Sequence, residues 1–476
     1  MAGASRLRLA VEVICAPFHH NKFEMSQIPN IFKAYDIRGL VDSEMTPDFS
    51  FATGLAFARF LQQEREPATV IVAEDMRPSS PELAQAFSAG VNSTGLDVMR
   101  IGLASTDMLY FASGKLGLPG AMFTASHNPA AYNGIKLCFS SARPIGKESG
   151  LQTIENFVRK GSPIEIRSVG AELKREMLNE YVEHLLSLVN LDSIRPLTIV
   201  IDAGNGMAGY TAPAIFARLN CTVIPLFFEL DGSFPNHEAN PIDPRNLRDL
   251  QKAVKKHKAD LGLAFDGDAD RCFLVDENGI AINPSELTSL IAHRELIKYP
   301  GSTIIYNLIS SRAVPEVIKE NGGIGLRSRV GHSYIKAMMA ESGAIFGGEH
   351  SGHFYFKEFW RADSGALAAL HAIAALGESK KSMSKIMAPY QRYVSSGEIN
   401  STVTDAEFAL LRVEQTFSER VGVEIDRLDG LSVIGDMWWF NLRPSNTEPL
   451  LRLNVEAKSV VAMGKLRDEV LSMIRD

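Results

Sequence analysis

Three stretches of this chain follow one grammar: a β-rich apolar run, a loop of small or polar residues, then a helical pattern. They read ATVIVAEDMRPSSPELAQAF, LTIVIDAGNGMAGYTAPAIFARL and STIIYNLISSRAVPEVIKEN and begin at residues 68, 197 and 302. Strand-then-helix alternation covers a sheet with helices, so each stretch predicts an α/β unit. Their wide separation predicts three similar α/β domains with mixed or parallel sheets, in which loops at strand ends are the natural ligand positions. The end of the chain differs, with short strands around WWFNL and LLRLNVEA and an amphipathic pattern from Val460 to Ile474, which predicts a smaller C-terminal α+β domain. Polar segments near 161–172 and 378–398 mark joints. The expected division is an N-terminal extension over 1–30, read as disordered, then domains at 31–165, 166–280, 281–395 and 396–476.

Composition narrows the ligand. At 476 residues, 45% hydrophobic and 22% charged, the chain can build several cores. A net charge of −7 without a long basic run excludes the electrostatic footprint of a nucleic-acid binder and points to a small ligand. Cys15, Cys138, Cys221 and Cys272 lack paired spacing, the pattern of buried thiols in a reducing compartment, the cytoplasm by expectation. The apolar stretch GALAALHAIAALG at 365–377 is too short to span a membrane. Glu12 interrupts RLRLAVEVICAPF, and no cleavage site follows, which argues against a secretory signal.

The segment AFDGDADR, 264–271, sets Asp266, Asp268 and Asp270 at every second position. In extended chain alternate side chains share a side, so three carboxylates would crowd and raise one another's pKa unless a cation neutralised them. Oxygen ligands suit magnesium or calcium; a solvated acidic turn is the plainer alternative. Apolar runs on both sides make the segment strand, tight loop, strand. With Glu277 at the twelfth place the spacing mimics a calcium-binding EF-hand, but the glycine required at the sixth place is Arg271, and the flanks read as strands where helices are required.

AMFTASHNPAAYNGIKL carries Ser126, His127 and Asn128 into a loop that Pro129 separates from the strand. A serine beside a histidine invites a hydrolase reading, yet neighbours in extended chain point apart and no nucleophile elbow surrounds the serine. A simple turn is the alternative. GNGMAG at 204–209, with Glu229 downstream, raises a nicotinamide-dependent dehydrogenase as a rival; a tight turn packing a helix on a sheet explains the same glycines.

KAYDIRG (33–39), TASHNP (124–129), DGDADR (266–271), GEHSGH (348–353) and RPSNTEP (443–449) together resemble, in this order, the signatures of the α-D-phosphohexomutase superfamily, from Ile31 to the C-terminus. FKAYDIRG and ASHNPAAYNGIKLCFSSARPIG are most similar to its bacterial phosphomannomutase branch, sometimes bispecific for glucose phosphates. The resemblance implies four domains around a central cleft, supplying in turn a phosphoserine, a metal site, sugar contacts and a phosphate site. It implies an isomerase, an intramolecular phosphotransferase that interconverts hexose 6-phosphate and hexose 1-phosphate, with mannose preferred and glucose the alternative.

On that reading Ser126 carries a phosphoryl group, gives it to one hydroxyl, and recovers one from the other end after the hexose 1,6-bisphosphate, also the activator, reorients. Mg2+ held by Asp266, Asp268, Asp270 and a phosphoserine oxygen would offset charge on the transferring group. Lys136, Arg38 and Arg271 are the implied cationic helpers, and His353 or Lys136 the base that the attacking hydroxyl needs. Tyr35, His127, Asn128, Gly331, His332, Glu349 and Ser351 fall in substrate-lining segments. Arg443, Ser445, Asn446 and Thr447 would clamp the phosphate not being transferred. The implied partners are sugar phosphates, with no nucleic acid and no membrane, for a monomer or weak homodimer. Glu349 and Ser351 cannot choose between the epimers, since both sugars present the equatorial hydroxyls they would meet. One departure stands out. The superfamily often has glycine and arginine where this chain has Ala73 and Glu74 in VAEDMRPSS, which puts that loop's supporting contacts in question.

The family-like sequence begins just after Met25, in MSQIPNIFKAYDIRG, which makes Met25 the expected natural start. Deleting residues 1–24 is expected to leave activity and melting temperature nearly unchanged. An activity assay and a thermal melt of the shortened chain check this, and a large loss of either would mean that the extension packs on the core.

Overall fold

A computed structural model describes residues 31–161, 169–444 and 450–475. The expected extension over 1–30 lies outside them. The chain forms two compact units, one ending at Ala281 and taking in Gly352–Met383, the other made of Ile282–Ser351 and the chain from Ser384 onward.

In the first unit a six-stranded sheet has the spatial order Ile37–Leu40, Tyr132–Cys138, Gly120–Phe123, Thr69–Glu74, Asp97–Leu103, Glu172–Lys174. The first two pairings are antiparallel and the others parallel, so the sheet is mixed. Helices Pro47–Gln63 and Ser80–Asn92 cross through two glycines. A Cβ on Gly54 would lie 2.1 Å from the Phe87 carbonyl oxygen, and one on Gly90 would lie 2.1 Å from that of Phe51. Only hydrogen at both places lets the backbones touch, and Phe49, Phe57, Phe87 and Phe123 then fill the core.

A second sheet sets Cys272–Asp276, Leu261–Phe265, Leu197–Asp202 and Cys221–Leu226 side by side, again mixed. The GNGMAG loop lies between Leu197–Asp202 and helix Ala208–Phe216. A Cβ on Gly206 would lie 2.6 Å from the Gly267 carbonyl oxygen, which also accepts from Met207 N at 2.9 Å. These glycines seat one loop on another, as a tight turn would and a dinucleotide site would not. The strands on either side of DGDADR likewise replace the helices an EF-hand needs.

In the second unit Ile324–Ser328, Thr303–Asn307 and Phe346–Gly348 run parallel. Phe354–Phe356 and Ala362–Asp363, in the first unit, pair antiparallel. The C-terminal sheet is antiparallel throughout, in the order Val394–Thr402, Leu450–Ala457, Trp438–Pro444, Leu431–Ile434, Glu424–Asp426, with helices Ala406–Ser418 and Val460–Arg475 over its apolar face. The architecture is therefore three α/β domains with mixed sheets and a smaller C-terminal α+β domain. Two sheets reach past the expected joints: Glu172–Lys174 completes the first sheet beyond 165/166, and Val394–Thr402 runs through 395/396. Both are edge strands with exposed polar residues, which is why they resemble linker in the sequence. No described helix is long and apolar enough to cross a membrane, and Gly365–Gly377 is buried along its whole length.

One buried carboxylate ties three helices of the first unit. Asp107, in helix Thr106–Leu116, accepts from Ser105 Oγ, from Tyr181 Oη of helix Leu178–Leu188 at 2.7 Å, and from Ser364 Oγ, the cap of Gly365–Gly377, at 2.6 Å. Burial, against the pull of these hydroxyls, pushes its pKa up to about 6. An unfolded aspartate titrates near 3.9, so between about pH 4 and 6 the folded chain holds more protons, and stability declines as pH rises through that window by about 3 kcal/mol. Asp107→Asn is expected to remove this slope and to lower stability overall, because its amide N–H faces hydroxyl donors; urea melts of both proteins from pH 4 to 7 check it.

Candidate active site

Two loops of the first unit converge. After Gly120–Phe123 the chain turns at Ser126, whose φ of 52° is left-handed, and after Leu261–Phe265 it turns at Ala269, φ 60°, before Cys272–Asp276. A Cβ on Gly267 would come 2.4 Å from the Ser126 carbonyl oxygen, so glycine is what lets the loops meet. Ser126 Oγ donates to Asp266 Oδ2 at 2.9 Å. Carboxylate oxygens of Asp266, Asp268 and Asp270 lie within 4.8 Å of one another, all buried.

Electrostatics in this cluster calls for a cation. Burial, then Asp270 and Asp268, push Asp266 well above the ordinary carboxylate range. Burial acts the same way on Asp270, but Lys136, His353 and Arg271 outweigh it and hold Asp270 well below. Lys136 Nζ donates to Asp268 Oδ2 at 2.7 Å and to Asp270 Oδ2 at 2.6 Å, and Thr106 Oγ1 shares Asp268 Oδ2 at 2.6 Å. Asp268 Oδ1 is buried with no hydrogen-bond partner among the described residues. A desolvated, unpartnered carboxylate oxygen is costly, and three carboxylates beside a serine oxygen are the donor set of a hard divalent cation. The residues fit Mg2+.

Cationic and polar groups close around this cluster. Arg38 donates to Asn128 Oδ1 and pairs with Asp36. Arg271 Nε lies 3.4 Å from Asp266 Oδ2 and 3.2 Å from His353 Nε2, which is itself 3.5 Å from Asp270 Oδ1. Tyr35 is half-buried in the segment that carries Arg38. Ser126, His127, Asn128, Lys136, Arg38, Arg271, His353 and the three aspartates thus share one site.

One expectation changes. Extended neighbours would keep Ser126 and His127 apart, but the left-handed turn at Ser126 brings its Oγ 3.2 Å from His127 Nδ1. Arg271, burial and Arg38 hold that imidazole well below its usual pKa, so it is neutral. Burial alone would lower the pKa of Lys136, yet Asp268 and Asp270 outweigh burial and keep it an ammonium well above the usual lysine value.

In the second unit Glu349 is buried just after Phe346–Gly348, and its Oε1 accepts from Gly331 N at 3.2 Å and Asn307 Nδ2 at 3.4 Å. Ser351 is half-buried. Arg443 pairs with Glu398 at 2.9 Å through Nη2. The side chain of His332, and Ser445, Asn446 and Thr447 entirely, lie outside the described residues.

Arg77 is the principal residue that sequence reasoning misses. Its guanidinium is fully buried and donates to four carbonyls of the serine loop, those of Pro129 (3.0 Å), Tyr132 (2.9 Å), Ser126 (3.0 Å) and Asn128 (2.7 Å). Asp75 lies 3.3 Å from its Nε. In VAEDMRPSS, where Ala73 and Glu74 depart from the superfamily, Asp75 and Arg77 pair with each other and Glu74 turns to Arg100. An arginine two residues after an aspartate at a strand end was the available signal. Thr106 offered none, because only the fold brings it to Asp268.

Models of the family described as Phosphoglucomutase/phosphomannomutase match the chain in order: alpha/beta/alpha domain I at residues 29–165, domain II at 179–279, domain III at 283–393, and the C-terminal domain at 398–473. The chain is 40% identical over 443 residues to a protein of Xanthomonas campestris pv. campestris named "Phosphohexose mutases", covering 93% of this chain and 98% of that one. It is 39% identical over 451 residues to the phosphomannomutase of Escherichia coli K12, covering 92% and 97%. The crystal structure of a phosphoglucomutase/phosphomannomutase family protein from Burkholderia thailandensis is similar with a TM-score of 0.85 at 32% identity, over 93% of this chain and 96% of that one.

Asp268→Asn keeps side-chain size and removes one charge from the cluster. Calorimetric titration with magnesium is expected to show at least roughly tenfold weaker binding, the scale of one charge-assisted contact, while circular dichroism shows the fold retained. Undiminished binding would leave the three aspartates without the cation assigned to them.

Proposed function

Because the chain belongs to the phosphoglucomutase/phosphomannomutase family and is a phosphohexomutase, an isomerase, we propose that it interconverts mannose 6-phosphate and mannose 1-phosphate through a phosphorylated Ser126. The observation that carries this reading is Ser126 Oγ on Asp266 inside a buried cluster of three aspartates ringed by Lys136, Arg38 and Arg271. A serine phosphate there would meet cations on several sides.

In the proposed step the bond between phosphorus and Ser126 Oγ breaks as one forms to a sugar hydroxyl, whose proton passes to His353. The hexose 1,6-bisphosphate then reorients, and its other phosphoryl group returns to Ser126, which makes the bisphosphate both intermediate and activator. Magnesium held by Asp266, Asp268, Asp270 and a phosphoserine oxygen would supply charge that offsets the charge on the transferring group. Lys136, as an ammonium, adds to that offset, and Arg271 orients His353 through the contact between them. Glu349 and Ser351 would take sugar hydroxyls beside Gly331 and His332, and Arg443 with Ser445, Asn446 and Thr447 would hold the distal phosphate. Sugar phosphates are the proposed partners of a monomer or weak homodimer, and the buried thiols of Cys138 and Cys272 suit a reducing cytoplasm. Turnover of glucose phosphates is the second reading, favoured by Glu349, whose proposed hydroxyl contacts do not separate the epimers.

Ser126→Ala is expected to lose phosphate from the TASHNP peptide, read by mass spectrometry, together with nearly all turnover. Mannose 1-phosphate and glucose 1-phosphate compared side by side, with a trace of bisphosphate, rank the two readings. Arg443→Ala, which removes a charge-assisted contact worth about 1.5–3 kcal/mol, should weaken apparent substrate affinity roughly tenfold or more. Full turnover by the alanine variant at 126 would sink the phosphoserine.

A further inference from the structure

On the C-terminal sheet Arg443 of Trp438–Pro444 and Arg452 of Leu450–Ala457 stand directly opposite each other. Like charges so placed repel. Asn441 and Asn454 form the next pair on the same face, while Leu442, Leu451 and Leu453 point from the other face into the core. A polar face, which also carries Ser432 and Glu456, therefore backs the apolar one, and its arginine pair lies next to residues 445–449.

Glu398 reaches this face from the edge strand Val394–Thr402. That strand is bulged between Ser395 and Glu398, with Gly397 at φ 67°, and a bulge re-aims the side chain that follows it. The two carboxylate oxygens divide between the arginines, Oε2 lying 2.9 Å from Arg443 Nη2 and Oε1 lying 3.4 Å from Arg452 Nη1. One carboxylate thus bridges the two guanidinium groups. Arg443 Nε is buried with no hydrogen-bond partner among the described residues, so the guanidinium keeps donor capacity for an anion.

We infer that Glu398 is a positioning residue for the phosphate clamp: it cancels the repulsion between Arg443 and Arg452 and fixes the plane of the Arg443 guanidinium toward the distal phosphate. The inference rests on the proposed role of Arg443. Planar, bidentate recognition depends on that orientation, and among the described residues the Glu398 carboxylate links Arg443 to the guanidinium facing it. The same carboxylate could instead compete with the phosphate for Nη2, and the two roles predict opposite changes in affinity.

The test measures kcat and KM for mannose 1-phosphate and glucose 1-phosphate in Glu398→Gln, Glu398→Asp, Arg443→Ala and the Glu398→Gln/Arg443→Ala double variant, each with a melting temperature. Positioning predicts that Glu398→Gln raises KM about tenfold, as for loss of one charge-assisted contact, with kcat within about twofold. Glu398→Asp, charged but one methylene shorter, should raise KM less, and the double variant should be no worse than Arg443→Ala alone. A lower or unchanged KM in Glu398→Gln overturns the inference while leaving the clamp intact, as does an additive rise in the double variant. An unchanged KM in Arg443→Ala overturns the clamp and the inference together.

Discussion

Three buried carboxylates within 4.8 Å of one another are an unstable arrangement unless positive charge is brought to them, and much of the first unit serves that need. Lys136 comes from the strand Tyr132–Cys138, Arg271 from the aspartate loop, and His353 from the chain that returns through Gly352–Met383. Elements far apart in sequence meet because each contributes one group to the same charge balance. A lysine bridging two carboxylates offsets part of their repulsion, and Asp268 Oδ1, without a hydrogen-bond partner among the described residues, marks what their cations leave unmet.

The architecture was legible because its signals are periodic and local. Each of the three strand-loop-helix stretches becomes a strand and a helix in register with the expectation, as Thr69–Glu74 and Ser80–Asn92 do. Edge strands were less legible. Glu172–Lys174 is short and exposed, so no hydrophobic alternation announces it. The aspartates and the serine could be read from spacing and motif, yet their partners Thr106 and Arg77 could not, since a hydrogen bond between residues 106 and 268 leaves no local trace. Nor did motif spacing reveal that Ser126 and His127 meet. A single left-handed residue decides that, and serine seldom adopts this conformation.

The two units divide the groups by the kind of charge they handle. The first gathers carboxylates and the cations that balance them; the second sets Arg443 and Arg452 about the carboxylate of Glu398. Glycines matter in both for different physical reasons, a close backbone approach in one and a left-handed turn in the other. Gly267 lets one backbone meet another beneath the aspartates, and Gly397 sits in the bulge ahead of Glu398.

Arg77 holds the serine loop through carbonyl oxygens alone, those of residues 126, 128, 129 and 132. Every amino acid supplies such an oxygen. The shape of the loop is consequently recorded largely in main-chain atoms and one distant guanidinium, with Thr124 Oγ1 accepting from Ser126 N at 2.9 Å. Substitutions within the loop can therefore alter reactivity without moving the backbone, whereas a change at Arg77 would disturb the backbone without touching a reactive group. Architecture and chemistry in this loop are separately evolvable.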